Sequence, residues 1–215
     1  MKKIIDIKSA FSAENVAAVA RILRANGLAV LPTDTLYAVA ADSFSQTAVD
    51  RIYKVKNRER TAPLPLMAAS LAQVEQFLVV SDAAKKLAEQ FWPGPLTMVL
   101  QTKGKLPGHI TAQDGTVAIR TPNHAFCRAV AESLGRPITA TSVNFSGEKP
   151  ASIISEISPQ FLEEIDLIVD QGESKSAAPS TIIRLIDGKT EILRDGCLNR
   201  EEILRSLESE KGRNE

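Results

Sequence analysis

From Glu14 to Asn26 the apolar positions recur at helical spacing, with Val16, Val19, Ala20, Ile22 and Leu23 forming one stripe. Ser12 is a natural N-cap for that helix and Gly27 a natural stop. The same spacing predicts helices over 47–55, 71–79, 83–91 and 125–134. Between them lie short apolar or β-rich runs that read as strands. These are 28–31 (halted by Pro32), 36–41, 64–67, 96–101, 116–120, 137–142 and 167–170. Near the end, 181–186 and 190–194 flank Asp187-Gly188, a strong hairpin signal. An amphipathic helix over 201–210 and a frayed end over 211–215 complete the chain. Small polar residues fill 171–178, which reads as a mobile surface loop, either a plain connector or a lid. Helices and strands that alternate early, with a hairpin late, predict an α/β fold. One twisted mixed sheet, parallel and antiparallel, would be flanked by helices in a single domain over 1–200, with a C-terminal helix and tail over 201–215.

Composition removes several classes. At 215 residues the chain holds a sizeable core. Its 26 basic and 26 acidic residues cancel, so no global field draws it to nucleic acid, and an RNA partner would need a local basic patch. No apolar run reaches the roughly 18 residues that span a bilayer, and the first ten residues lack the apolar stretch of a signal peptide. No membrane partner is expected, and the location expected is cytoplasmic. Cys127 and Cys197 share no metal-ligand spacing; they are either two idle thiols in a reducing compartment or a disulfide.

Familiar catalytic patterns are missing. Gly188-Lys189-Thr190 lacks the earlier glycine of a phosphate loop, since Ile183 stands there. There is no dinucleotide fingerprint, no GxSxG elbow and no clustered Cys/His set; His109 and His124 are the only histidines. No metal-ligating residues are assigned. An enzyme built this way would act by positioning substrates and stabilising charge. Two segments suit that chemistry. Lys56-Asn57-Arg58 and Ser142-Val143-Asn144 each place polar side chains at i and i+2, which share a face on an extended backbone. Thr33, Asp34 and Thr35 follow the 28–31 run, while Arg120, Ser142, Asn144 and Arg194 close other strands, where ligands gather in open α/β sheets. Each also has a plain reading. Lys56 and Arg58, with Lys54, Glu59 and Arg60, make a solvated face; Ser142, Asn144, Thr33 and Thr35 shape turns; Arg120 and Arg194 form surface ion pairs.

The order of the segments decides between these readings. Pro32–Tyr37 (PTDTLY), Lys56–Arg58, Phe91–Thr97 (FWPGPLT), Val117–Arg120, Thr141–Gly147 (TSVNFSG), Pro179–Thr181 and Leu193–Gly196 together resemble the Sua5/YrdC/YciO/YwlC family of threonylcarbamoyl-AMP synthases, over about residues 10 to 200. The resemblance implies a YrdC-like fold with a concave basic groove. It implies a nucleotidyltransferase joining L-threonine, bicarbonate or CO2, and ATP, with Mg2+, into threonylcarbamoyl-AMP and pyrophosphate. The adenylate would serve the t6A transferase machinery that modifies adenosine 37 of tRNA. Lys56 and Arg58 would be catalytic. Lys56, Arg58, Ser142, Asn144 and Arg194 would bind the nucleotide, and Thr33, Thr35, Arg120 and Ser180 threonine. Ala38, Glu59, Met67 and Thr141 stand where the family more often has glycine, proline, histidine (in its long branch) and proline, and a short form is implied. The alternatives are a non-catalytic double-stranded-RNA or ribosomal-RNA binding module of the same fold and a weakly active YciO-like paralogue; tRNA or double-stranded RNA is a possible partner.

Overall fold

The structure, a computed structural model, describes residues 3–60, 63–174, 176 and 178–208. In chain order its elements are β1 Lys3–Asp6, α1 Ala13–Arg24, β2 Ala29–Leu31, β3 Ala38–Ala40, α2 Gln46–Val55, β4 Leu66–Met67, α3 Leu71–Phe77, α4 Asp82–Phe91, β5 Leu96–Gln101, β6 Thr116–Arg120, α5 Ala125–Leu134, β7 Ile138–Thr139, β8 Thr141–Ser142, α6 Pro159–Glu163, β9 Leu167–Asp170, β10 Thr181–Ile186, β11 Lys189–Arg194 and α7 Arg200–Glu208. The strands pair as β1-β9-β2-β3-β8 and β11-β10-β5-β6-β4-β7, with parallel and antiparallel neighbours in both sets, so the mixed α/β expectation holds. The run predicted as one strand over 137–142 divides into β7 and β8 but keeps a single register. Ile138, Thr141 and Ser142 face Asp42, Val39 and Ala38 in turn, while Ile138 and Thr139 also pair with β4. This one extended segment therefore joins the two sets of strands.

Local chemistry sets the helix ends. Ser12 caps α1 in a capping box with Asn15. The stop lies one residue before the predicted Gly27: Asn26 takes the left-handed conformation at φ 63°, and the Asn26 and Gly27 N–H groups bond back to Leu23 and Ile22. Gly27 is still required, because a Cβ there would lie 2.5 Å from the Ile22 side chain. Helix α3 ends at Phe77, short of the predicted 79, because Leu78 bridges to Thr102. Strand β1 and helix α6 escape the sequence pattern; in β1 only Ile5 is buried, so no alternation marks it. Residues 209–215, including the end expected to fray, lie outside the described residues.

Period-two alternation in β2 sends Val30 into one apolar cluster, with Val39, Ile52 and Leu66. Ala29 and Leu31 go into a second, with Leu23, Phe126 and Val130. Ile203 of α7 is fully buried in the first, which docks the last helix on the body.

Candidate active site

The strands converge on a cleft of about 390 Å³ lined by Arg58, Arg120 and Arg194 and by Thr35, Thr97, Thr141, Ser142 and Ser180, with no carboxylate among the described residues that line it. Strand register builds one wall. Arg194 of β11 faces Ile182 of β10, Ile182 faces Thr97 of β5, and Arg120 lies one step along antiparallel β6 from the Met98–Ile119 pair. A single row across four strands thus presents two guanidinium groups and a hydroxyl. Burial, with the neighbouring Arg120 guanidinium, lowers the pKa of Arg194, as expected for two cations sharing a cleft.

The Phe91–Thr97 segment ties this row to its flanks. The Gly94 N–H donates to the Thr121 carbonyl (2.9 Å), just beyond Arg120, and Pro95 accepts from the Thr181 N–H (3.0 Å), just beyond Ser180. A Cβ on Gly94 would lie 2.3 Å from the Phe91 carbonyl oxygen, so glycine is needed for the turn. Gly196 presses on the Pro179–Ser180 backbone, where a Cβ would meet atoms at 2.4–2.5 Å. That close approach lets Arg194 donate to the Ser180 carbonyl from NH2 (2.7 Å) and Nε (3.2 Å). Thr97 Oγ1 and Ser180 Oγ share a hydrogen bond of 2.8 Å, so Thr97, quoted in the Phe91–Thr97 segment but not among the expected site residues, belongs to this group.

At one end, Arg120 is buried, with only 7% of its surface exposed, which overturns the surface ion-pair reading. Its NH1 donates to Asp34 Oδ1 (2.6 Å) and its NH2 to Thr35 Oγ1 (3.0 Å) and Thr33 Oγ1 (3.2 Å). Thr33 is fully buried and donates to the Leu36 carbonyl (2.7 Å) while accepting from the Thr35 N–H (3.1 Å). It supports the turn from behind, and Thr35 lines the cleft instead.

At the other end the two i, i+2 segments meet, but they differ in kind. Lys56-Asn57-Arg58 is not extended. It is a helix terminus, with Lys56 as C-cap of α2, Asn57 left-handed at φ 48°, and the Asn57 and Arg58 N–H groups bonded back to Lys54 and Tyr53. The left-handed residue separates the two side chains: Arg58 lines the cleft, and Lys56 turns inward, 2% exposed. Its Nζ donates to the carbonyls of Ser142 and Asn144 (2.8 Å for Asn144) and to Asn144 Oδ1 (3.3 Å), above the Phe161 ring. Burial, with Arg58 nearby, lowers Lys56 to about 8. The solvated-face reading survives for exposed Lys54, Glu59 and Arg60, and fails for Lys56. Ser142 and Asn144 do share a face, since Ser142 Oγ bonds Asn144 Oδ1. The Asn144 amide nitrogen is committed to the carbonyls of Phe145 (2.9 Å) and Glu148 (2.8 Å), so Ser142 alone of the pair lines the cleft.

Among the other expected positions, Met67 is fully buried in the core and Ala38 lines the cleft beside Tyr37. His124 caps α5. Both cysteines are free, and burial pushes the Cys127 thiol up to about 12. The start of the 171–178 loop is tied down rather than mobile: Tyr37 Oη donates to Gly172 (2.7 Å) and accepts from the Gln171 N–H (3.1 Å). Lys175 and Ala177 lie outside the described residues. Among the described residues no three His, Cys, Asp or Glu side chains cluster to hold a metal ion. With no carboxylate among the described residues that line the cleft, those donors do not fit a protein-held Mg2+. No helix of the described residues is long and apolar enough to cross a membrane.

Comparison with known proteins bears on the family and the fold. The Sua5/YciO/YrdC family model, described as telomere recombination, matches residues 21–196. A threonylcarbamoyl-AMP synthase from Pyrococcus abyssi is 34% identical over 204 residues, covering 94% of this chain and 60% of that protein. The structure of P. abyssi Sua5 complexed with L-threonine superposes with a TM-score of 0.89 at 34% identity, over 94% of this chain and 60% of that one. Escherichia coli YciO superposes with a TM-score of 0.84 at 25% identity, over 93% and 98% of the two chains. The chain thus spans less than two thirds of the P. abyssi protein.

Proposed function

Because the chain belongs to the Sua5/YciO/YrdC family, we propose that it is an L-threonylcarbamoyladenylate synthase, a nucleotidyltransferase of the cytoplasm. The observation that carries the reading is the cleft in which Arg58, Arg120 and Arg194 converge with the hydroxyls of Thr35, Ser142 and Ser180. Arginine is suited to both anions the reaction brings together, a carboxylate and a polyphosphate.

In this reading Arg120 and Thr35 receive the threonine carboxylate, with Ser180 beside them, and Arg58, Ser142 and Arg194 face the nucleotide. Thr33 acts from behind through Arg120. Lys56 and Asn144 act from behind through the Ser142 segment, as positioning residues. The threonine amine adds to CO2 and loses a proton to give a carbamate. A carbamate oxygen then attacks the α-phosphorus of ATP, and pyrophosphate leaves. No enzyme nucleophile is needed; the negative charge that grows on the phosphoryl oxygens is met by fixed guanidinium groups. Mg2+, where it accompanies ATP, would be held by the phosphates, and no step is assigned to it. The mixed anhydride product is an activated acyl donor suited to transfer onto an amine, as in the t6A37 modification of tRNA.

The test is incubation with ATP, L-threonine and bicarbonate, following pyrophosphate and the threonylcarbamoyl-adenylate by mass spectrometry. Pyrophosphate release that depends on threonine is expected. Release that ignores threonine, or none at all, would overturn the reading.

A further inference from the structure

We propose that Asp34 is a positioning residue for the amino-acid end of the cleft, fixing the Arg120 guanidinium in the plane in which it meets a substrate carboxylate. The inference rests on the threonine reading above.

Asp34 lies behind the Thr33–Thr35 turn and does not line the cleft. Its side chain is 10% exposed, and each of its oxygens faces a donor. Oδ1 accepts from Arg120 NH1 (2.6 Å), and Oδ2 accepts from the Asn123 N–H (3.0 Å), just ahead of α5. The carboxylate is therefore pinned from two sides and in turn pins the arginine. Thr33 and Thr35 hold NH2 on the other side. A planar guanidinium gripped at both terminal nitrogens cannot rotate about its last bond without losing a contact.

The threonine hydroxyls complete the grip. Thr33 Oγ1 donates to the Leu36 carbonyl and accepts from the Thr35 N–H and Arg120 NH2. The Thr35 hydroxyl, in hydrogen-bond contact with Thr33 Oγ1 at 3.0 Å, accepts from Arg120 NH2 and lines the cleft. A fixed arginine with a hydroxyl beside it makes a directional carboxylate receptor.

A carboxylate on Arg120 could instead act mainly as a competitor, weakening the attraction for a second carboxylate. Asp34→Asn separates the two effects. Because both oxygens face N–H donors, either amide orientation sets an NH2 group against a donor, so one of the two ties, to Arg120 or to the Asn123 N–H, is lost and the side chain is no longer pinned from both sides, while the competing charge disappears. Positioning raises the KM for threonine; competition lowers it.

The experiment measures KM for threonine and for ATP by pyrophosphate release, and threonine binding by calorimetry, in wild type and Asp34→Asn. A threonine KM raised about tenfold or more, with ATP KM changed less than about threefold, is expected. A purely structural role would move both constants together. An unchanged or lower threonine KM overturns the inference and leaves the synthase reading standing. A wild type that binds no threonine overturns both. Should Asp34→Asn fail to fold, Asp34→Glu keeps charge and acceptors while shifting them by a methylene. A smaller but measurable rise in threonine KM is expected there, and an unchanged value overturns the inference.

Discussion

Two buried cations stand at the two ends of the cleft, and they are compensated in different ways. Among the described residues Lys56 donates to neutral oxygens, those of Ser142, Asn144 and the Asn144 side chain. Arg120 meets the Asp34 carboxylate and two hydroxyls. A lysine surrounded by dipoles holds its proton loosely once buried, hence its fall to about 8. An arginine stays charged at any working pH. The amino-acid end is therefore held by a charge-paired fork, whereas the nucleotide end leans on a lysine whose hold on its proton burial weakens.

Breaking the arginine end has the largest expected effect. Arg120→Ala removes the carboxylate receptor and strands Asp34 in a buried site, so stability is expected to fall by about 3–5 kcal/mol. Threonine-dependent kcat/KM is expected to drop about a hundredfold or more. Denaturant melts and pyrophosphate release check both. Lys56→Met is milder, because the oxygens it abandons are neutral: a loss of about 1–3 kcal/mol is expected, with the larger kinetic change in the KM for ATP as the Ser142 segment loosens. An equal effect on threonine would show that the two ends are not separate.

The smallest effect is on pH. Three acceptors around Nζ call for the protonated ammonium, so kcat/KM for ATP is expected to fall above about pH 8 in wild type and to lose that limb in Lys56→Met. The stability sign is opposite. The folded value lies below the ordinary 10.5, so between about 8 and 10.5 the unfolded chain binds more protons, and this group's contribution to stability rises with pH across that window. Activity and stability that fall together would contradict the assignment.

Much of this was legible in the sequence, for identifiable reasons. Strands β5, β6 and β9 follow the expected bounds because each is a short run dominated by apolar residues. The hairpin follows from Asp187-Gly188, both left-handed. The ordered segments from PTDTLY to the final Arg194–Gly196 turn place Arg120, Ser180 and Arg194 together. What spacing could not give is direction. Lys56-Asn57-Arg58 looked like an i, i+2 pair on extended backbone, and only the left-handed Asn57 reveals that one cation turns inward and the other outward. Asp34 was visible among strand-end residues, but its tie to Asn123 spans 89 positions and no local pattern encodes it. Thr97 is equally silent, since its partner Ser180 lies 83 positions away.

The division of labour along the cleft is tested most directly by one crossed measurement: the KM values for threonine and ATP in Arg120→Lys and Arg58→Ala. Arg120→Lys keeps charge but loses the planar fork, so about a tenfold rise for threonine with little change for ATP is expected. Arg58→Ala is expected to do the reverse. Equal changes of both constants in both variants would contradict a cleft with a threonine end and a nucleotide end.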